Sequence, residues 1–409
     1  MRISTNSFYE NAGGKISELQ SSLAQKQTQI ASGRRIQTPS DDPVAASAAL
    51  DVKQADGVNT QFAANRESAK TALTLQESTL TQYTDLLQNI KTTTVAAGDG
   101  ALDDTQRKYF ADQLTNDYQT LLGIANTQDS AGHYIFAGYK NTTQPFNQTA
   151  AGVTYAGDQG QRLLQVSTSR QLALNDTGDA VFQNIRTGNG TFITAAAAGN
   201  TGTAIAGPGS VTNAALLTGD SYSVDFTITG GVTSFNVFDV TKDAGKTTPL
   251  LTPSPSPYTP GQSIAFDGMQ FDLAGAPASG DTFSVKPSTN QSIFQTVGDL
   301  ITALNTSSAG PTAKANLASG LSTANGNVTS ALDAALTVRA SGGARLKELD
   351  TLDNEGADRT LQYASRLSSL QDLDYAKAVT ELTQQQVTLQ AAQQSFVKIA
   401  NLSLFDYIK

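Results

Sequence analysis

The stretch ASGRRIQTPSDDPVAAS, residues 31–47, puts one glycine and two prolines between two segments that both carry helical periodicity. Before it, Tyr9, Ile16, Leu23 and Ile30 recur every seventh residue, with Ala12 and Leu19 three positions after the first two. That is the narrow apolar seam of a helix that packs on other helices. After it, Asp42 is a good N-cap, and Pro43 falls at the first helical position, where its missing N–H would be unpaired anyway. Gly33 therefore ends one helix, Pro39 keeps the residues after it extended, and Asp42-Pro43 starts the next. The stretch reads as a jointed connector. Arg34 and Arg35 stand near Asp41 and Asp42 and can pair with them or with a neighbouring subunit, while two solvated pairs of this kind would contribute little.

Beyond the connector, Leu73, Leu80 and Leu87 form one apolar column and Gln76, Tyr83 and Ile90 the other, so a helix continues to about Ala97. Unbroken, it is about 80 Å long. AAGDGALDD ends it, and Asp104 can cap a further helix over about residues 105–127. From SAGHYIFAGYKNTTQPF to about residue 185, short alternating apolar segments predict strands or hairpins. Residues 186–290 differ again: eight of the twelve prolines lie between Pro208 and Pro287. There, Tyr222, Val224, Phe226 and Ile228 share one strand face, IAFDGMQFDL and GDTFSV repeat the alternation, and TPSPSPYTP reads as an extended loop with polyproline character.

Helical periodicity returns at about Ser292. Val328, Leu332, Ala335, Arg339, Gly342, Leu346 and Leu349 alternate steps of four and three, which predicts a second long helix over about 312–370. At the end, Leu382, Leu389 and Phe396 make one heptad column, and Val379, Gln386, Gln393 and Ala400 the other. The materials run helix, long helix, β insertion, long helix, helix. The fold class is a mainly α rod of long antiparallel, coiled-coil-like helices built from the N- and C-terminal regions, with β-hairpins and an inserted small β domain. Its parts are terminal assembly helices at 1–40 and 375–409, a helical rod at 41–185 and 291–374, and an outer β domain at 186–290. Both terminal seams are thin and partly Ala and Gln. Two such helices are marginal alone, so they are expected to be disordered in the monomer and to fold when other copies supply the missing surface.

Composition narrows the classes. Among 409 residues there is no Cys, no Trp and one His, and the net charge is −9. Absent cysteines exclude disulfides, thiolate metal sites and cysteine nucleophiles. The acidic balance argues against a nucleic-acid surface or an anionic membrane. No apolar run approaches the roughly 18 residues of a membrane span, and MRISTNSFYENAGGKISELQ has no apolar core of a signal peptide. Any secretion is expected to use a route without a cleaved leader.

The ends also carry a resemblance. TNSFYENA (5–12), SSLAQKQTQIASGRRIQTPSDDPVAAS (21–47) and the C-terminal SSLQDLDYAKAVTELTQQQVTLQAAQQSF (368–396) resemble the conserved termini of the bacterial flagellin family and its junction relatives. VKIANLSLFDYIK, YIFAGYKNTTQPF and GDTFSV fit the hook-filament junction branch best, and LQNIKTTTVAAGDG stands where filament subunits have an arginine-containing stretch. What the resemblance implies is a structural protein, exported through the flagellar type III channel with a cytoplasmic chaperone and assembled outside the cell. Its partners would be further copies of itself, hook-associated protein 1 on the hook side and flagellin on the filament side. Tyr9, Ile16, Leu19, Leu23 and Ile30 on one helix, and Leu382, Leu389, Phe396 and Leu402 on the other, would form the assembly seam, with the β insertion facing outward. A filament subunit and a secreted adhesin acting through residues 186–290 are the alternatives.

Chemistry offers no competing reading. His133 has no second His or Cys near it and reads as a turn or packing residue. Asp99, Asp103 and Asp104 lack the ligand spacing of a calcium loop and read as caps. TGNGTF and GPGSVT lack the continuation of a phosphate loop and read as turns. No nucleophile, base and oxyanion donor can be assembled, so no catalytic residue, cofactor or metal is assigned.

Overall fold

The computed structural model describes residues 5–150 and 152–405. Six α-helices bracket a β-rich middle: α1 (Thr5–Ser32), α2 (Pro43–Ala97), α3 (Asp104–Ala125), α4 (Ile293–Asn305), α5 (Pro311–Gln371) and α6 (Tyr375–Phe405). This is the mainly helical fold with long helices at both ends and a central β region that the periodicity predicts. Two compact units divide the chain, residues 1–64 with 351–409, and residues 65–350.

In the unit of residues 65–350, the columns read from α2 are the core. Leu73, Gln76, Leu80, Tyr83, Leu87 and Ile90 are all buried. On α5, Val328, Ala335 and Leu349 are buried as well. Gln76 survives inside because both ends of its amide are used, its Nε2 donating to Asp176 at 2.6 Å and its Oε1 accepting from the Asp176 N–H, which removes the penalty of an unpaired buried amide. Phe182 sits at the centre of this core, its ring centroid 4.8 Å from Tyr83, 5.1 Å from Phe136 and 5.3 Å from Phe146. It is carried by a π-helical turn, Asp179–Gln183.

Asp103, and not Asp104, caps α3. Its carboxylate accepts from the Gln106 N–H at 2.7 Å while Gln106 returns a bond to the Asp103 N–H. This reciprocal box needs Gln or Glu three residues after the cap, which Gln106 supplies only for Asp103. Asp104 instead accepts from Ser307 and Ser308, before α5. The segment from Ser130 to Pro145 is a chain of turns with one isolated bridge, Gln128 to Tyr134, not the strand expected there. Its Ile135, Phe136 and Ala137 are buried, so the apolar run fills core without pairing. Hairpins begin at β1 (Phe146–Thr149) and β2 (Gly152–Tyr155), followed by β3 (Leu163–Ser167) and β4 (Arg170–Ala173). Side chains of α2 hold the β3 carbonyls, Asn65 on Gln165 and Arg66 on Val166. Glu348 of α5 pairs with Arg170 of β4.

The β region of the same unit contains β5 (Ile185–Arg186), β6 (Phe192–Ala196), β7 (Ile205–Ala206), β8 (Ser210–Val211), β9 (Tyr222–Thr229), β10 (Val232–Asp239), β11 (Ser256–Pro257), β12 (Ser263–Phe266), β13 (Met269–Ala274), β14 (Thr282–Pro287) and β15 (Asn290–Gln291). One antiparallel sheet has the order β11-β10-β9-β14-β6; in a second, β13 pairs with β12, β7 and β8. Their facing aromatics, including Tyr222, Phe226, Phe271 and Phe283, form a separate core. Tyr222, Val224 and Phe226 point into it as their alternation predicts, but Ile228 is exposed. The β9 strand outruns the core there, one residue short of the Gly230-Gly231 turn, where both residues have positive φ as a two-residue hairpin turn requires. In the proline-rich loop, Tyr258 is buried and donates to the Leu273 carbonyl at 3.1 Å, which anchors the run on β13. Asn327 of α5 accepts from the Gly188 N–H at 2.8 Å.

In the unit of residues 1–64 with 351–409, α1 and α6 pack together. A buried polar pin joins α2 to α5, the Asn59 Nδ2 donating to the Gly356 carbonyl and the Thr360 hydroxyl at 2.9 and 3.0 Å.

Candidate assembly site

The terminal pair is antiparallel. Tyr9 stacks edge-to-face on Phe396 with 5.8 Å between centroids, Ser22 accepts from Gln385 at 3.1 Å, and Lys26 pairs with Glu381 at 2.7 Å. The Lys26 ammonium holds the Glu381 carboxyl below its ordinary range. Tyr9, Ile16, Leu19, Leu23 and Ile30 face inward on α1, as Leu382, Leu389 and Phe396 do on α6, yet every one of them is only half-buried. Leu402 lies on α6, but its side chain falls outside the described residues.

One column differs from the sequence reading. Beside Leu382, Leu389 and Phe396 run Ala378, Gln385 and Ala392, while Val379, Gln386 and Gln393 are exposed. Ala400 has its side chain outside the described residues. Positions three and four away from a seam residue are both heptad neighbours, so spacing alone admits either column. The structure uses the smaller alanines on the face toward α1. The outer surface of α6 is left with Val379, Val387, Val397 and Ile399, each at least 43% exposed.

The connector closes the base of this pair. Gly33 ends α1 with φ +69°, a conformation that favours glycine. A Cβ there would also come within 2.9 Å of the Tyr375 hydroxyl. Its carbonyl accepts from Leu373 at 3.0 Å, and the Arg35 N–H donates to Gln371 at 2.8 Å, on either side of an antiparallel bridge between Arg34 and Asp372. The Arg35 guanidinium reaches Leu370 O at 2.9 Å and Asp42 at 3.5 Å. Asp41 has no arginine partner among these contacts. It accepts from the Gln37 and Thr38 N–H groups at 2.9 Å, and these bonds pull its carboxyl below the usual range. Pro39 does not extend the chain. It occupies a tight turn closed by Asp41 N to Thr38 O at 3.0 Å, where the fixed φ of proline suits the second position. Asp42 caps α2 through the Ala45 N–H at 3.0 Å, with Pro43 at the first helical position.

The sequence reading missed the other half of this joint, residues 370–375, and the buried Ile36. One signal was available: Asp374 precedes the last heptads as an N-cap and accepts from Lys377 at 3.1 Å. The joint therefore ties the end of α1 to the α5–α6 turn through backbone bonds that depend little on side-chain identity.

His133 lies in the turn expected for it, where Asp129 accepts the Ala131 and His133 N–H groups. Among the described residues no group of three His, Asp or Glu side chains could hold a metal ion. No described helix is long and apolar enough to cross a membrane.

Residues 3–141 match the model of the bacterial flagellin N-terminal helical region. Flagellar hook-associated protein 3 of Salmonella typhimurium is 28% identical over 406 residues, 99% of each chain. The solved hook-associated protein 3 of Legionella pneumophila is 34% identical with a TM-score of 0.74, covering 78% of this chain and 98% of its own. FlgL of Xanthomonas campestris is 30% identical with a TM-score of 0.70, covering 78% and 99%. Because the likeness spans the connector, both terminal helices and the β region between them, the chain belongs to the flagellar hook-associated protein 3 family.

Proposed function

We propose that the chain is a structural component of the bacterial flagellum that joins hook to filament, with no enzymatic role. The observation that carries this reading is a terminal helix pair, in a chain related along its whole length to hook-associated protein 3, whose seam is antiparallel, continuous and half-buried. A seam of that kind leaves apolar area for neighbouring copies to cover. Residues 1–40 and 375–409 act as the assembly segments, and Tyr9, Ile16, Leu19, Leu23, Ile30, Leu382, Leu389, Phe396 and Leu402 contribute the burial. Their lasting order comes from association, by coupled folding. Slow amide exchange across both helices in a dilute monomer would overturn that part.

Hook-associated protein 1 on one side and flagellin on the other are the neighbours this role requires. Export with the help of a cytoplasmic chaperone belongs to this reading, and the 186–290 domain faces outward. A deletion strain tests the role directly. The expected phenotype is intact hooks, lost filaments and flagellin released into the medium, reversed by expressing this chain. Normal filaments in the deletion strain would refute the role. Unlimited growth of the purified chain on isolated hooks would mark it as a filament subunit instead.

A further inference from the structure

In the unit of residues 1–64 with 351–409, the α1–α6 pair is not uniform along its length. Among the described residues of α1 and α6, only Gln29 and Ala378 are buried, and both stand within two turns of the joint. Polar contacts gather there too. Gln29 donates to the Arg35 carbonyl at 2.7 Å and Gln25 to the Asp41 carboxylate at 3.1 Å, so α1 is tied across its own connector, which holds Gln371 and Leu373 by backbone bonds. Ile36 is buried in the connector, and Ala45 and Ala49 are buried at the start of α2. Burial thus continues from the foot of α1 into α2.

Toward the tip the picture reverses. The Lys26–Glu381 and Ser22–Gln385 contacts set the antiparallel register, and carried on to Gly13 and Gly14 it places Gln394 and Gln393 opposite them. Both glycines are exposed, and a Cβ on either would meet no packing neighbour within 4 Å. No close approach within this chain requires them. Each nevertheless disfavours its helical turn about five-fold relative to alanine.

We propose that the terminal pair of the free monomer is closed at its base and open at its tip, dividing at Gly13-Gly14. Residues 16–32 and 376–389 are paired before association, and residues 9–14 and 393–399 order only against a neighbouring copy. The costly step in making a helix is its first turn, while propagation from an existing turn is easy. A closed base therefore spares each arriving copy the nucleation of α1 and α6, and it sets the direction of ordering, from joint to tip. The glycines keep the tip from closing early. The proposal rests on the assembly reading of these helices and divides them into a template and the part that folds on it.

Hydrogen exchange of the full chain in dilute solution, read by mass spectrometry, tests it. Amides of residues 16–32 and 376–389 are expected to exchange at least about ten-fold more slowly than an unstructured chain, and those of 9–14 and 393–399 near the unstructured rate. Uniform fast exchange along both helices would overturn the closed base and leave coupled folding intact; uniform slow exchange would overturn both. Gly13→Ala with Gly14→Ala is expected to slow exchange at the tip at least about two-fold, and no slowing would overturn the role of the glycines. Gly33→Val, which puts a branched side chain at φ +69° and against Tyr375, is expected to bring residues 16–32 to the tip rate with the global melt unchanged. It should also join isolated hooks about ten-fold more slowly, since nucleation returns to the association step. Retained protection, undiminished incorporation or a lowered global melt in this variant would each overturn the joint as nucleus. Failure of the unaltered chain to restore filaments in the deletion strain would remove the junction role instead.

Discussion

The α1–α6 pair and the centre of α2 follow the same seven-residue apolar rhythm and reach different states. Leu73, Leu80, Tyr83, Leu87 and Ile90 are at most 1% exposed, whereas the seam from Tyr9 to Ile30 is half-buried throughout. Period sets which face turns inward; the elements available to cover that face set how much burial follows. In the unit of residues 65–350, Phe136, Phe146, Phe182 and Phe294 meet the α2 columns. In the terminal pair α1 and α6 pack on each other, with alanine and glutamine at every other seam position of α6. Stability is concentrated in one region, and unused adhesion is left in the other.

The strongest way to break this comparison is to remove the terminal region. Deleting residues 1–35 or 375–409 is expected to abolish assembly on hooks while the remainder keeps its helical circular dichroism and a cooperative melt. Global unfolding of either truncated chain would show that the terminal pair carries core stability after all. Next in size comes a matched pair of truncations. Phe182→Ala opens a cavity at a fully buried ring and is expected to cost about 3–5 kcal/mol. Leu389→Ala, on the half-buried seam, is expected to leave the urea midpoint within about 0.5 kcal/mol of the parent, yet to weaken assembly. Equal losses from both would erase the distinction.

Much of this was legible in the sequence, because period and caps are local properties. Gly33, Asp42 and Pro43 marked the boundary of α1 and α2 to within a residue, and the columns from Leu73 to Ile90 named the core of α2. What could not be read depends on long-range partners. Nothing near Arg34 or Arg35 in the chain announces a backbone bridge to Gln371 and Asp372, more than three hundred positions away. The preference for Ala378 over Val379 on the α6 seam is likewise set by the helix opposite, not by α6 itself. Ile135 and Phe136 looked like a strand because apolar runs that fill a core and those that pair in a sheet are alike in composition.

A smaller effect, of opposite sign, sharpens the picture of the inner core. Among the described residues the buried Tyr83 hydroxyl has no hydrogen-bond partner, and burial pushes its titration well above the usual phenol range. Tyr83→Phe removes the desolvated group and keeps the ring against Phe182, so it is expected to raise stability by about 1 kcal/mol. A loss measured by denaturant titration would mean that the hydroxyl has a partner, such as ordered water.

Acid provides the finest probe, because each region has a carboxylate held in its charged form. Ser308 and Ser307 donate to Asp104, Arg107 lies 3.7 Å away, and the carboxyl is held down at about 2. In the unfolded chain the same group titrates near 3.9. A depressed folded value stabilises above the unfolded value and is lost as pH falls through the folded one. The melting difference between the parent and Asp104→Asn should therefore be constant above about pH 5, shrink below it and vanish only below about pH 2. Glu381, drawn below its ordinary value by Lys26, has the same sign, with its loss setting in as pH falls through the ordinary glutamate range. Their readouts should differ. Asp104 belongs to the cooperative unit and is expected to move the global melt, while Glu381→Gln is expected to change only amide exchange along α1 and α6. A shift of the global melt by Glu381→Gln would couple the terminal pair to the core and end the contrast between them.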